Sequence, residues 1–231
     1  VIILRSLFVD FNSYFASVEQ QLNPALRGRP VGVVPVLAET SRCIAASYEA
    51  KAFGVRTAMS GAAARRACPN LIEVPARFDA YTEASKHVFD IFRDTSPIVE
   101  PMSIDEAFID VAGLWRIAGT PAVIAAGLRA RVADEVGLAI TVGVARTKFL
   151  AKVASGVAKP DGLLVVRDEH GARAAETGGE GKGWGTVLGL AGGDWEEEFE
   201  GRPLSGLGID LQTALVAAHD TEHGGKTHKT T

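Results

Sequence analysis

The apolar run from Ile2 to Phe11 is broken only by Arg5, Ser6 and Asp10, which predicts a buried strand. Tyr14, Val18 and Leu22 follow at helical spacing and share one face. The segment NPALRGRP then breaks the helix with proline and glycine. Val31 to Val36 predicts a second strand. Helical or turn-rich sequence runs from there to Pro75, punctuated by Gly54, Gly61 and Pro69.

Beyond Pro75 the periods become longer and clearer. Tyr81, Ala84, Val88, Ile91 and Phe92 form a helical stripe. Ile98 to Val111 is extended, with a hairpin turn near Ser103–Glu106. Thr120 and Pro121 stand as N-cap and first residue of a helix that runs to Gly137. Leu138 to Ala145 predicts a strand, Thr147 to Ala158 a helix stopped before Pro160, and Leu163 to Val166 a last short strand. With residues 12–77 set aside, the order is the split β-α-β of a ferredoxin-like fold. The expected class is α+β: an antiparallel or mixed sheet with helices on one face, and a small helical domain inserted after the first strand.

Composition narrows the setting. Of the 231 residues, 47% are hydrophobic, enough for a sizeable core. Two cysteines, Cys43 and Cys68, argue for a reducing cytoplasm and against a disulfide scaffold. No stretch approaches the ~20 apolar residues of a membrane span. The net charge of −4 is uneven: residues 1–165 carry 18 Lys+Arg against 16 Asp+Glu, and the remainder carry 6 against 12. A nucleic-acid surface, if present, must be local and must lie in the first segment. From Gly171 to Gly225 the chain holds 14 of its 25 glycines and the acidic block DWEEEFE, without sustained periodicity, and its end is expected to be disordered.

The chemical signal is a split set of acids. Asp10 closes an apolar strand, and Asp105 and Glu106 interrupt another apolar run, PMSIDEAFIDV. Carboxylates in such runs call for compensation, and oxygen ligands without nearby His or Cys favour Mg²⁺ over zinc. Two ions sharing a bridging carboxylate can each stabilise one oxygen of a phosphoryl displacement. Asp10 and Asp105 could bridge, Glu106 could complete the site for the ion that activates the attacking hydroxyl, and the Phe11 carbonyl could serve the other ion. Singly, each acid more often caps a strand end and faces water, the role assigned to Asp110. The spacing alone also fits a nucleotide cyclase.

Four segments in order, FVDFNSYFASVE, SYEAKAFGV, SIDEAFIDV and TVGVARTKFLAKVASGVAKPDG, resemble the metal, nucleotide and palm motifs of the Y-family (DinB/UmuC-type) DNA polymerases. The resemblance covers about residues 5–166. It implies a translesion DNA polymerase that moves dNMP from dNTP to a primer 3′-OH by two-Mg²⁺ catalysis, with Mn²⁺ a substitute. It implies a palm over 1–11 and 78–166, and fingers over 12–77. Asp10, Asp105 and Glu106 resemble the metal carboxylates, and Phe15 the steric gate beneath the sugar. Tyr14 is assigned to core packing. Tyr48, Lys51 and Lys159 resemble the triphosphate contacts, with Lys51 standing where many members have Arg. Ala45 replaces a hydroxyl residue common in the family. Arg146, Lys148, Lys152 and Lys159 lie in a stretch free of acids from Ala139 to Pro160 that could meet primer–template phosphates. Ala46, Ala58 and Gly61 match the small-residue roof over the nascent base pair.

The resemblance ends near Val166. LSGLGID (Leu204–Asp210) is similar to a thumb hairpin turn, but its acidic, glycine-rich setting departs from the family. Residues 167–231 are therefore expected to be a divergent or incomplete thumb-like region with no little finger. The expected consequence is distributive synthesis, with a sliding clamp or mutagenesis accessory proteins as candidate partners. The alternative is an inactive polymerase-like remnant or scaffold module in DNA-damage tolerance.

Overall fold

The computed structural model describes residues 4–166, Glu39 excepted. The thumb-like region expected over 167–231, with its disorder and missing little finger, lies outside the described residues. The chain runs β1 (Ser6–Phe11), α1 (Tyr14–Leu22), β2 (Val31–Val34), β3 (Ala45–Ala46), α2 (Tyr48–Lys51), α3 (Gly61–Ala67) and β4 (Ile72–Pro75). It continues through α4 (Phe78–Thr95), β5 (Val99–Pro101), β6 (Glu106–Asp110), α5 (Pro121–Val136), β7 (Ile140–Ala145), α6 (Lys148–Ala158) and β8 (Leu163–Val165).

Five strands form one sheet, ordered β5-β6-β1-β7-β8, with β1 at its centre and antiparallel to both neighbours. This is the ferredoxin-like order, extended by β8, which pairs parallel to β7. The period of two along β1 sorts its side chains. Leu7, Val9 and Phe11 join Ile109, Val142 and Val144 against Val88 and Phe92 of α4 and Leu128 and Val132 of α5. Phe8 takes the opposite face with Phe108 and Ala145, where Ala151 of α6 meets them.

The helices therefore do not all share one face: α4 and α5 do, and α6 covers the other. Gly143 makes that second packing possible. A Cβ there would lie 2.0 Å from the Ala151 carbonyl oxygen and 2.4 Å from the Ser155 nitrogen, so the α6 backbone rests directly on β7.

The capping signals hold. The Thr120 hydroxyl accepts from the Val123 N–H, Pro121 opens α5, and Gly137 closes it at φ 74°. The Thr147 hydroxyl caps α6 in the same way, accepting from Leu150.

Within residues 12–77 the structure adds a three-stranded sheet, β3-β2-β4, to a stretch expected to be helical or turn-rich after Val36. β2 runs antiparallel to β3 and parallel to β4, with Val31 opposite Ile72 and Val33 opposite Val74. Strands of two and four residues are too short to show a period, and their pairing is decided by tertiary partners. β2 stops at Val34 because Pro35 has no N–H to extend the ladder. Leu22 also departs from expectation: it is 52% exposed, and the buried face of α1 is completed by Glu19. Among the described residues no helix is long and apolar enough to cross a membrane.

Candidate active site

The central strand carries the acids together by register. Asp10 lies directly opposite Glu106 in the β1–β6 pair. One step on, the Phe11 N–H donates to the Asp105 carbonyl at 3.0 Å. Directly opposed residues share a face, so Asp10 and Glu106 both stand on the α6 side, away from α4 and α5. Asp105, Asp10, Phe11 and Glu106 line one cleft of about 200 Å³. The inserted lobe supplies the other wall: Ile44, Ala45, Ala46, Tyr48, Lys51 and Thr57. Ser13, Tyr14 and Phe15 close the base, and Lys159 enters from the end of α6.

Ammonium groups already answer these charges. Lys159 Nζ lies 2.9 Å from Asp10 Oδ2, and Asp10 is only 8% exposed. Lys152 Nζ lies 3.0 Å from Glu106 Oε2 and 4.6 Å from the Phe8 ring centre. The Ser103 hydroxyl donates to Asp105 Oδ1 at 2.6 Å. Among the described residues no three His, Cys, Asp or Glu side chains are grouped as a ready-made metal site. The donor chemistry of the cleft still fits a hard divalent cation: its acidic lining is Asp10, Asp105 and Glu106, and no His or Cys lines it.

Tyr14 and Phe15 both line the cleft but differ in burial. Tyr14 is buried among Phe11, Val88 and Phe92, and its hydroxyl donates to the Tyr81 carbonyl. Burial, then the nearby Asp105 charge, pushes its phenol well above the ordinary range. Phe15 is only partly buried and stacks on the Tyr81 ring at 4.4 Å and 12°. Tyr48 begins α2 behind the Ser47 cap, whose hydroxyl accepts from Ala50, and Lys51 sits 5.0 Å over the Tyr48 ring.

The basic stripe is not brought to the cleft as a unit. Lys148 pairs with Glu100 and sits 5.5 Å from the Phe108 ring centre, and Arg146 is exposed outside the lining. Lys152 reaches one of the site's carboxylates, Glu106. Of the small residues read as a roof, Ala46 lines the cleft, whereas Ala58 and Gly61 do not, and Thr57 and Ile44 stand there instead.

Sequence reasoning missed Ser13. It occupies the N-cap of α1 at φ 46°, makes no capping bond, and its hydroxyl is buried with no partner among the described residues. Its cue was a serine between strand and helix, a position that ordinarily marks a plain cap.

A ferredoxin-like sheet with acids on its central strands, faced by an inserted lobe bearing Tyr48 and Lys51, defines a palm-type fold. Residues 9–156 match the profile of the impB/mucB/samB family, and the chain belongs to that family. It is 51% identical over 160 residues to DNA polymerase IV 2 of Mesorhizobium japonicum, covering 69% of this chain and 37% of the relative. It is 44% identical over 167 residues to DNA polymerase IV of Halorhodospira halophila, covering 72% and 47%. The crystal structure of DinB from Sulfolobus solfataricus matches with a TM-score of 0.68 at 28% identity, covering 88% of this chain and 62% of that one. The insertion ternary complex of Dbh DNA polymerase matches at TM-score 0.67 and 27% identity, again covering 88% and 62%. The chain thus spans about half the length, or less, of the curated relatives it matches. The Y-family resemblance seen in the motifs agrees with all of these.

Proposed function

We propose that this chain is the catalytic part of a translesion-type DNA polymerase, which transfers dNMP from a dNTP to a primer 3′-OH under template direction and releases pyrophosphate. The palm is residues 1–11 and 78–166, and the fingers are 12–77. The observation that carries the reading is the register that sets Asp10 opposite Glu106 and Phe11 against Asp105, in a cleft shared with Tyr48 and Lys51.

Asp10, Asp105, Glu106 and the Phe11 carbonyl would hold two divalent ions, Mg²⁺ or Mn²⁺. When bound, these supply charge stabilisation at the attacking and leaving oxygens. The rest falls to side chains of this chain. Lys51 and Lys159 neutralise the triphosphate, and the Tyr48 hydroxyl donates to it. Lys51 acts as a point charge, without the planar fork an arginine would offer. Phe15 meets the sugar at C2′ and leaves no room for a 2′-hydroxyl. Lys159 and Lys152 release Asp10 and Glu106 as nucleotide phosphate and metal arrive. The Lys152–Glu106 pair is partly exposed and worth about 1 kcal/mol or less, whereas Asp10 is buried and gives up Lys159 at little cost only because another positive partner takes its place.

Arg146, Lys148 and Lys152 are proposed contacts for primer–template phosphates. The 167–231 segment carries twice as many acids as bases, which opposes DNA and favours distributive synthesis. A sliding clamp or accessory protein would offset that.

Single-nucleotide primer extension in Mg²⁺ tests the reading. Wild type should incorporate one dNMP, and Asp105→Ala should lose on the order of a thousandfold in rate. Equal incorporation by the two proteins would overturn the assignment.

A further inference from the structure

Glu19 is a buried carboxylate that the chemistry above does not use. It lies in α1, 3% exposed, and a charge at that depth is tolerated only when it is well compensated. Arg77 Nε approaches both of its oxygens at 3.1 Å, Arg77 Nη2 also donates to Oε2, and the Tyr81 hydroxyl donates to Oε1 at 2.8 Å. Arg77 and Tyr81 stand at the start of α4 and Glu19 in the inserted segment, so this cluster joins the two parts of the chain at the base of the cleft.

Tyr81 is fully buried and is gripped by α1 at three points. Tyr14 donates to its carbonyl, Glu19 accepts from its hydroxyl, and Phe15 stacks on its ring. Phe78 meets the Phe15 ring edge-on at 6.0 Å and 88°. Phe15 is therefore backed by a ring that cannot retreat, because the hydroxyl of that ring is tied to a carboxylate held by a planar guanidinium fork. Apolar packing alone would hold the same volume but would fix position less sharply.

We propose that Glu19, Arg77 and Tyr81 are positioning residues that set how far Phe15 projects into the cleft, and so whether a 2′-hydroxyl sugar is refused. This rests on the polymerase reading. None of the three reacts; each acts through Phe15. Loosening the tie lets the ring recede by a fraction of an ångström, which admits ribonucleotides before it slows deoxynucleotide transfer.

The test uses the full chain and compares kcat/KM for a dNTP and the matching rNTP on one primer–template. Phe15→Ala should raise the rNTP/dNTP ratio most. Glu19→Gln and Tyr81→Phe should each raise it about fivefold, with dNTP transfer largely kept. In the Phe15→Ala background, Glu19→Gln should add nothing, because the ring it positions is gone. Two results overturn the proposal: both nucleotides slowed equally by Glu19→Gln and Tyr81→Phe, or a ratio that Glu19→Gln still multiplies without Phe15. Should Glu19→Gln fail to fold, Tyr81→Phe, which keeps the ring and loses one hydroxyl, decides the ratio question alone. A wild type that incorporates no dNTP ends the polymerase reading and this inference with it. An unchanged ratio in an active enzyme ends only this one.

Discussion

In the five-stranded lobe the interior is filled by Leu7, Val9, Phe11, Tyr81, Phe92, Ile109 and Leu128. In the inserted lobe the separate core cluster is Cys43, Ala46, Ala50, Val55, Ala64 and Cys68. At about 0.8 kcal/mol for each buried methylene, an alanine contributes far less than a phenylalanine or leucine. The inserted sheet makes up part of the difference by leaning on its neighbour, with Val33 buried in the main core and Ile44 and Val74 packed against it. The acids thus stand on the more strongly built lobe, and Tyr48 and Lys51 on the more lightly built one. A site that must fix charges within a fraction of an ångström, yet admit and release a ligand, is well served by that division.

The largest way to break this comparison is to unseat α6. Gly143→Ala would drive a methyl into the Ala151 carbonyl and the Ser155 nitrogen, backbone atoms that cannot swing aside. We expect a loss of about 4 kcal/mol or more, or failure to fold, read by urea unfolding monitored by circular dichroism. A stable Gly143→Ala protein would mean that α6 is not seated on β7 as described.

The comparison sharpens with a matched pair of truncations. Leu128→Ala in α5 should cost about 3–4 kcal/mol and lower amide protection throughout the five-stranded sheet. Val55→Ala, which is also fully buried, removes fewer atoms from a smaller cluster and should cost about 1–2 kcal/mol. Its effect on hydrogen exchange should stay within α2, α3 and β2–β4, leaving β1, β6 and β7 protected. If Val55→Ala opened both sheets together, the two lobes would be one cooperative unit.

The same contrast explains what the sequence disclosed. The strands and helices after Pro75 were legible because α4 and α5 exceed four turns, and α5 also carries its own caps, Thr120 and Gly137. The acids were legible because Asp10, Asp105 and Glu106 each break an apolar run. The inserted sheet was not, since Ala45–Ala46 and Ile72–Pro75 become strands only by pairing with Val31–Val34. The site was readable as a residue set but not as a pairing scheme. No pattern announces that Lys152 meets Glu106, that Lys148 meets Glu100, or that Glu19 would be buried on a face expected to hold Leu22.

The smallest effect tests the joint between the lobes without any substrate. Burial, and then the Glu19 carboxylate that accepts from it, raise the Tyr81 phenol from its ordinary 10.0 to about 12. An acid whose folded value is raised favours the native state only while protonated in both states. The Tyr81 contribution is therefore full below pH 10 and is lost as pH climbs from 10 through 12. Tyr81→Phe should make the fall in stability across that window shallower, because nothing remains at position 81 to ionise while the Tyr14 phenol still does. Glu19→Gln removes a negative neighbour and should bring the Tyr81 titration down toward 10, seen as an earlier phenolate absorbance step. A step that does not move in Glu19→Gln would mean that the carboxylate and the phenol are not in contact, and the joint at the base of the cleft would have to rest on Arg77 alone.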